Sequence, residues 1–303
     1  MSAPPRITVV TPSFNQAQFL EQTILSVLGQ CYPNLEYFVM DGGSGDGSAD
    51  IIRRYESRLA GWVSERDGGQ ASAINAGFAQ ASGDILCWLN SDDYFLPGTL
   101  HRIAAHFAGR VKEPGLVYGG CLCFQEGGRW AKVARPRAHD SATLAVLDYL
   151  VQPSTFWTRA LWEKTGTLDA TLSFTFDWEW FIRAAQHAPF DLSGEIFSAY
   201  RHHEAHKTGS GGTKRREEIV SIAQRHAPAE IVRAYEWVLR TWGDFERRAA
   251  MEKRWRAARI PGAGTLAKLF TPRLWKLAWP EGMTAREARF CSAMFMGGQP
   301  GHA

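Results

Sequence analysis

The sequence predicts an α/β protein: a mixed, mainly parallel sheet flanked by helices, with a helical C-terminal extension. Short β-branched runs alternate with stretches of helical periodicity from Ile7 to Leu89, the pattern of parallel strands joined by right-handed crossovers. Polar and acidic residues stand just after those runs, at Ser13, Asp41, Asp67 and Asp92-Asp93. In such a sheet these strand ends lie on one edge, where ligands bind. From Arg215 onward the pattern becomes helical and basic. The 303 residues hold one large α/β domain and an appendage. We place the first at 1–212, in halves 1–98 and 99–212, and the second at 213–303.

Ile7 to Thr11 is a β-branched run bounded by Pro5 and Pro12 and reads as a buried strand. Phe19, Leu20, Ile24, Val27 and Leu28 then recur at helical spacing. The first N–H groups of that helix face whatever binds above the strand. Leu35 to Met40 is a second strand, running into Asp41-Gly42-Gly43-Ser44-Gly45-Asp46-Gly47-Ser48 and a helix over 49–59 capped by Ser48. Those glycines do not form the GxGxxG of a dinucleotide fold. Trp62 to Glu65 gives a third strand, followed by Asp67, Gln70 and a helix carrying Ile74, Asn75, Gly77 and Phe78. The apolar run Ile85 to Leu89 stops abruptly at Asn90-Ser91-Asp92-Asp93, and Pro97-Gly98 turns the chain into a helix near Thr99. Adjacent carboxylates there suit a hard divalent cation shared with substrate phosphates. They also suit a cap on the next helix.

Beyond Gly98 the pattern loosens. Leu116 to Phe124 and Trp130 to Val133 pair as a hairpin. A strand follows Pro153, and Arg159 to Gly166 forms a short helix. Asp177-Trp178-Glu179-Trp180 opens an apolar helix reaching about His187. On it Asp177 and Glu179 point about 200° apart, so one of them faces the cleft, and we take Asp177. Glu195 to Tyr200 is a strand before a loop over 201–212 that carries His202, His203 and His206.

A hydrophobic share of 45% with 21% charged residues argues against wholesale disorder. The net charge of +3 is too small to imply nucleic-acid binding. The 5 cysteines make no zinc-type pair and read as reduced cysteines of a cytosolic core, with Cys121 and Cys123 placed on opposite faces of one strand. The amino terminus has no charged-then-apolar signal segment, and no stretch reaches 18 continuous apolar residues. We therefore expect a cytoplasmic protein that at most touches the inner face of the cell membrane. The basic tail, with Arg247, Arg248, Lys253, Arg254, Arg256 and Arg259 among Trp242 and Trp255, reads two ways. It is an interfacial segment resting on anionic lipid, or a helical cap with solvated arginines.

With ITVVTPSFN, DGGSGDGS, GGQASAINAGFAQASGDILCWLNSDD, FDWEWFIR and YRHH in view, the chain resembles the family 2 glycosyltransferases over roughly Arg6 to Thr208. The resemblance implies a GT-A-type, Rossmann-like fold and an inverting, metal-dependent, non-processive transfer. A sugar would pass from a nucleotide-diphosphate donor to a hydroxyl acceptor, a glycan or lipid-linked sugar, in polysaccharide or glycolipid assembly. It implies that Thr11, Pro12 and Ser13 line the base and ribose pocket and that Asp41 bonds the nucleobase. Asn15, Asp67, Gln70, Asn75, Ser91 and Asp92 complete the nucleotide-sugar site, and Asp93 with His203 hold Mn2+ or Mg2+. Asp177 matches the catalytic base. Two departures stand out: Gln70 occupies a place where many relatives have Lys, and Phe176 precedes Asp177 where an acid is frequent.

The chemistry stands on its own terms. A nucleotide diphosphate leaves well only when its developing charge is neutralised, which a divalent ion achieves. A sugar hydroxyl needs a carboxylate to take its proton, and inversion needs one such base and no covalent intermediate. Two rival readings keep the fold: a non-catalytic nucleotide-sugar-binding protein, and a sugar nucleotidyltransferase. The second wants cations near the first strand, and PSFNQAQF has none.

Overall fold

The computed structural model describes residues 3–203, 211–269 and 282–295. They fall into two compact units, the first formed by the described residues up to Leu144 and from Tyr149 to 203, the second by Ala145–Asp148 and the described residues from 211 onward.

In the first unit, β1 (Ile7–Ser13) is buried at every position and pairs in parallel with β2 (Leu35–Asp41) and β4 (Ile85–Trp88). β2 pairs in parallel with β3 (Gly61–Ser64). The register sets Ser13 directly beside Asp41, and Asp41 beside Ser64, so these strand ends share one edge as expected. The crossovers are α1 (Ala17–Leu28), α2 (Ser48–Arg53) and α3 (Gln70–Gln80). α1 buries Phe19, Leu20, Ile24, Val27 and Leu28, the positions the periodicity selects. α3 lies so close to the sheet that a Cβ on Gly77 would sit 2.6 Å from Val10 Cγ1; only glycine permits that approach. The expected helix over 49–59 ends at Arg53, and a 3-10 turn covers Glu56–Arg58. Ser48 is its first residue and not its cap. Asp46 organises that end, accepting from Ser48 N (3.1 Å), Ser48 Oγ (2.6 Å) and Ala17 N (2.8 Å).

The rest of the sheet is mixed. Strand order runs β3-β2-β1-β4-β8-β6-β9-β5, with β7 paired to β6. Here β5 is Tyr94–Phe95, β6 Leu116–Gln125, β7 Ala131–Ala134, β8 Thr155–Thr158 and β9 Phe190–His202. β8 is antiparallel to β4 and β6, whereas β6 and β9 run parallel with register shifts around Gly120. β9 is longer than the sequence indicates and takes in Arg201 and His202, which had been expected in a loop. Cys121 and Cys123 are both buried and interact with each other through their thiols. Residues two apart on a strand share a face, so the opposite-face expectation is corrected. The helices of this half are α4 (Thr99–His106), α5 (Ser141–Leu144), α6 (Arg159–Thr165) and α7 (Phe176–Ala184). Trp157 gathers Trp88, Trp162, Trp180 and Phe78 around it at centroid distances of 4.8–6.4 Å. This aromatic layer seats α6 and α7 on the sheet.

The second unit is helical: α8 (Gly212–His226), α9 (Ala229–Arg240), α10 (Trp242–Ala257), α11 (Ala263–Leu269) and α12 (Ala285–Phe295). α8 and α9 bury Ile219, Ile222, Tyr235 and Val238, and the Tyr235 ring stacks 5.8 Å from Phe295. Tyr235 Oη also donates to the carbonyl of Val146 at 2.7 Å. α10 buries Asp244 alone. Trp275 and Trp279 of the C-terminal extension, and His206, lie outside the described residues. Among the described residues no helix is long and apolar enough to cross a membrane.

Candidate active site

The turns after β1, β2 and β3 are built by their own polar groups. Asp41 is buried, and its carboxylate accepts from Ser44 N (2.9 Å), Ser44 Oγ (2.6 Å) and Ser64 Oγ (2.6 Å). With about four acceptor positions on a carboxylate, little of Asp41 is left for a ligand. Asn15 has a φ of 52°, tolerable for asparagine. Its N–H donates to Ser44 Oγ (2.7 Å), and its Oδ1 accepts from Gly45 N (3.0 Å). Asp67 Oδ1 accepts from Gly69 N (2.7 Å), shaping the entrance to α3. A Cβ on Gly42 would meet Asp67 Oδ2 at 3.2 Å and Phe14 at 3.3 Å, so the three turns converge, with the Phe14 ring 61% exposed above them. The sequence signal for Phe14 is an apolar ring set between the polar turn residues Ser13 and Asn15. Ser13 Oγ is buried without a hydrogen-bond partner. Thr11 belongs to the core instead, its hydroxyl 3.0 Å from Tyr37 Oη, and Pro12 is buried beside it.

The loop after β4 is clamped from several sides. Thr23 Oγ1, on α1, donates to the carbonyls of Ser91 (2.9 Å) and Asp93 (2.7 Å). Gln70 Nε2 donates to Asn90 Oδ1 (2.8 Å), Asn90 Nδ2 to Gln152 Oε1 (3.4 Å), and Gln152 Nε2 to the carbonyl of Trp88 (2.9 Å). Gln70 therefore braces the loop. Asn75 turns away from the edge: its Nδ2 donates to Leu168 O (2.9 Å) and its Oδ1 accepts from Leu168 N (3.0 Å). Both ends of its amide are thus committed to the segment between α6 and α7.

The two aspartates differ sharply. Asp93 is 1% exposed; Oδ1 accepts from Arg201 N (3.1 Å), and Oδ2 has no hydrogen-bond partner. Burial, with the Asp92 charge next to it, pushes its carboxyl well above the usual range. Asp92 is half-buried, and its Oδ2 lies 3.0 Å from His203 Nε2. The His203 ring packs 4.6 Å from Phe19. Of the two aspartates it is Asp92 that His203 meets, while the Asp93 side chain is buried and the loop turns with Asp93 N donating to Asn90 O (3.1 Å). A carboxylate, an imidazole nitrogen and an orphaned buried carboxylate oxygen fit a divalent cation that takes its remaining ligands from phosphate and water. Among the described residues no three His, Cys, Asp or Glu side chains are arranged to hold a metal by themselves.

The start of α7, which carries Asp177, meets the end of β4 through the aromatic layer. Trp88, at the end of β4, packs 6.2 Å from Phe176 and 6.4 Å from Phe181, which puts the start of α7 against the start of the loop. Within 176–182 Asp177 is the one residue not buried. Glu179 is buried and paired with Arg183 at 2.8 Å, so of the two acids Asp177 is the one open to solvent.

Residues 8–152 match the glycosyl transferase family 2 profile. An uncharacterized glycosyltransferase of Mycobacterium tuberculosis is 44% identical over 96 residues, covering 31% of this chain and 37% of that protein. The putative teichuronic acid biosynthesis glycosyltransferase TuaG of Bacillus subtilis is 37% identical over 101 residues, 32% of this chain and 40% of TuaG. The chain thus spans little more than a third of the length of these relatives. Among solved structures, the mannosyltransferase PcManGT of Pyrobaculum calidifontis, in complex with GDP-Man and Mn2+, superposes with a TM-score of 0.57 at 19% identity over 97% of this chain and 86% of that one. S. aureus TarS 1-349 in complex with UDP-GlcNAc does so with a TM-score of 0.54 at 14% identity over 96% and 88%. These likenesses agree with the fold the sequence predicts.

Proposed function

From a chain whose residues 8–152 match the glycosyl transferase family 2 profile, we infer that the protein moves a sugar from a nucleotide-diphosphate sugar to a hydroxyl acceptor, with inversion and with a divalent cation. The observation that carries this reading is the half-buried Asp92–His203 pair above a sealed Asp93, on the edge that the aromatic layer shares with Asp177. The donor complexes of PcManGT and TarS support a nucleotide sugar as ligand, and the manganese of the former supports the cation.

Asp92 and His203 would hold the cation, with the buried Asp93 carboxyl behind them. When bound, a divalent cation supplies positive charge to the diphosphate leaving group. The nucleotide would rest on the converged turns, stacking on Phe14 and taking a hydrogen bond from Ser13 Oγ, while Asp41 keeps the floor in shape through Ser44 and Ser64. Asp177 Oδ atoms would take the proton of the acceptor hydroxyl as it attacks the face opposite the leaving group. The basic extension and the unpaired state of all five cysteines favour a cytosolic enzyme working near anionic lipid. Exposed Arg254 and Arg256 with exposed Ile260 and Leu266 would make that contact.

A thermal-shift screen of nucleoside diphosphates and their sugars, with and without Mn2+ or Mg2+, tests the reading. Ligands that bind the folded state raise its melting temperature with their affinity, so one base should stand out in the presence of metal. The matching donor then serves in a transfer assay in which the anomeric configuration of the product is read by NMR. No shift with any nucleotide, or retention of configuration, would remove the reading.

A further inference from the structure

Arg201 is 5% exposed, and a guanidinium is costly to bury unless its donors are paired. Its Nε donates to the carbonyl of Asp92 (3.0 Å), its Nη2 to Gln22 Oε1 (2.5 Å), and its Nη1 pairs with Glu126. The rings of Phe19 and Phe124 cover it at 4.6 and 5.1 Å, with Tyr94 at 5.9 Å. Its own N–H holds Asp93 Oδ1 at 3.1 Å. The side chain thus ties the end of β9 to α1 and to the β6–β7 hairpin.

The arrangement of three consecutive carbonyls gives this anchor a specific effect. Ser91 O and Asp93 O are taken by Thr23 from α1, while Asp92 O is taken by Arg201 from β9. The peptide groups flanking Asp92 are therefore fixed from both sides. Without Arg201 the middle carbonyl loses its partner, and the Asp92 side chain can swing with its peptide away from His203. We propose that Arg201 is a positioning residue for the cation and diphosphate: it sets the direction of the Asp92 carboxylate and steadies that of Asp93. The inference rests on the glycosyl-transfer reading of the same site. A lysine cannot stand in, because a compact ammonium lacks the planar fork that meets three separate acceptors.

The test is a Mn2+ titration followed by electron paramagnetic resonance, with GDP or UDP present, on the full chain and on Arg201→Lys, Gln22→Ala and Glu126→Gln. Partners that orient metal ligands are worth about 10–100-fold in metal affinity. Arg201→Lys should weaken Mn2+ binding by about that factor and raise KM for the donor more than it lowers kcat, and Gln22→Ala should weaken binding by a few-fold. A purely structural arginine would lower the melting temperature and leave Mn2+ affinity alone. Wild-type affinity in folded Arg201→Lys overturns the inference. Should that variant not fold, wild-type affinity in both Gln22→Ala and Glu126→Gln overturns it instead. A wild-type chain that binds no Mn2+ with either nucleotide overturns the glycosyl-transfer reading, and this inference with it.

Discussion

From Ile7 to Trp88 the strands pair in parallel, and β1 keeps register with β2 over its whole length. From Tyr94 to His202 they run both ways, and the β6–β9 ladder slips around Gly120. The two halves also treat polar side chains differently. In the parallel half Asn15, Glu36, Asp41 and Asp46 each accept hydrogen bonds from neighbouring turns. At the junction and in the mixed half, Asp92 and Asp177 remain half-buried. A buried carboxylate that accepts three hydrogen bonds, as Asp41 does, can shape a cradle, whereas a half-buried one such as Asp92 or Asp177 keeps surface that a ligand or a proton can reach. Substitutions in the parallel half should therefore cost stability and donor affinity, and those beyond Asn90 should cost turnover.

The largest test of that contrast is Asp177→Asn. As the proposed base it should lower kcat by about 10²–10⁴-fold while melting temperature and nucleotide affinity stay at wild-type values. A parallel fall in nucleotide affinity would erase the contrast. Asp92→Asn should come next, weakening Mn2+ binding by at least the ~10–100-fold typical of lost ligand support, as titration with a fixed nucleotide would show. Asp41→Asn belongs to the other half. It places an amide donor among the N–H and hydroxyl donors of Ser44 and Ser64, and a buried group left unpaired costs about 1–3 kcal/mol. Chemical denaturation should register that loss, with kcat of the folded fraction little changed.

The smallest effect concerns pH. Burial alone would raise the carboxyl of Glu36, but hydrogen bonds from Ser82 and Thr8 outweigh it and hold it below its ordinary 4.5. A carboxylate lowered in the folded state stabilises fully above its unfolded value and loses that contribution as pH falls through the folded one. The difference in melting temperature between wild type and Glu36→Gln should accordingly shrink as pH drops below 4.5 and be constant above it.

The parallel half was legible because each buried run there stops at a turn residue, and period and punctuation are local signals. Ser13, Asp41 and Asp92 could be brought to one edge with no knowledge of distant contacts. β9 was read short because Asp191, Ser193, Gly194 and Glu195 make its first half look like loop. Arg201 was missed for a related reason: its partners Glu126 and Gln22 lie 75 and 179 positions away, and nothing local announces a buried guanidinium. The contact of His203 with Asp92 spans 111 positions, which local pattern does not encode. Asn75 entered the nucleotide site through the resemblance alone, and the spacing of α3 does not reveal that its amide closes on Leu168.

The hydrogen bond between Tyr235 and Val146 spans 89 positions of chain. During synthesis at ~5–20 residues per second, the Val146 carbonyl would wait roughly 4–18 s for that phenol. The short Ala145–Asp148 piece thus leaves the ribosome long before the helices it packs with. A gene truncated after residue 212 would leave it without them for good. The boundary drawn at 212 is therefore not a place to cut: a soluble catalytic fragment calls for re-engineering of residues 145–148, and a fusion partner is better attached beyond residue 295.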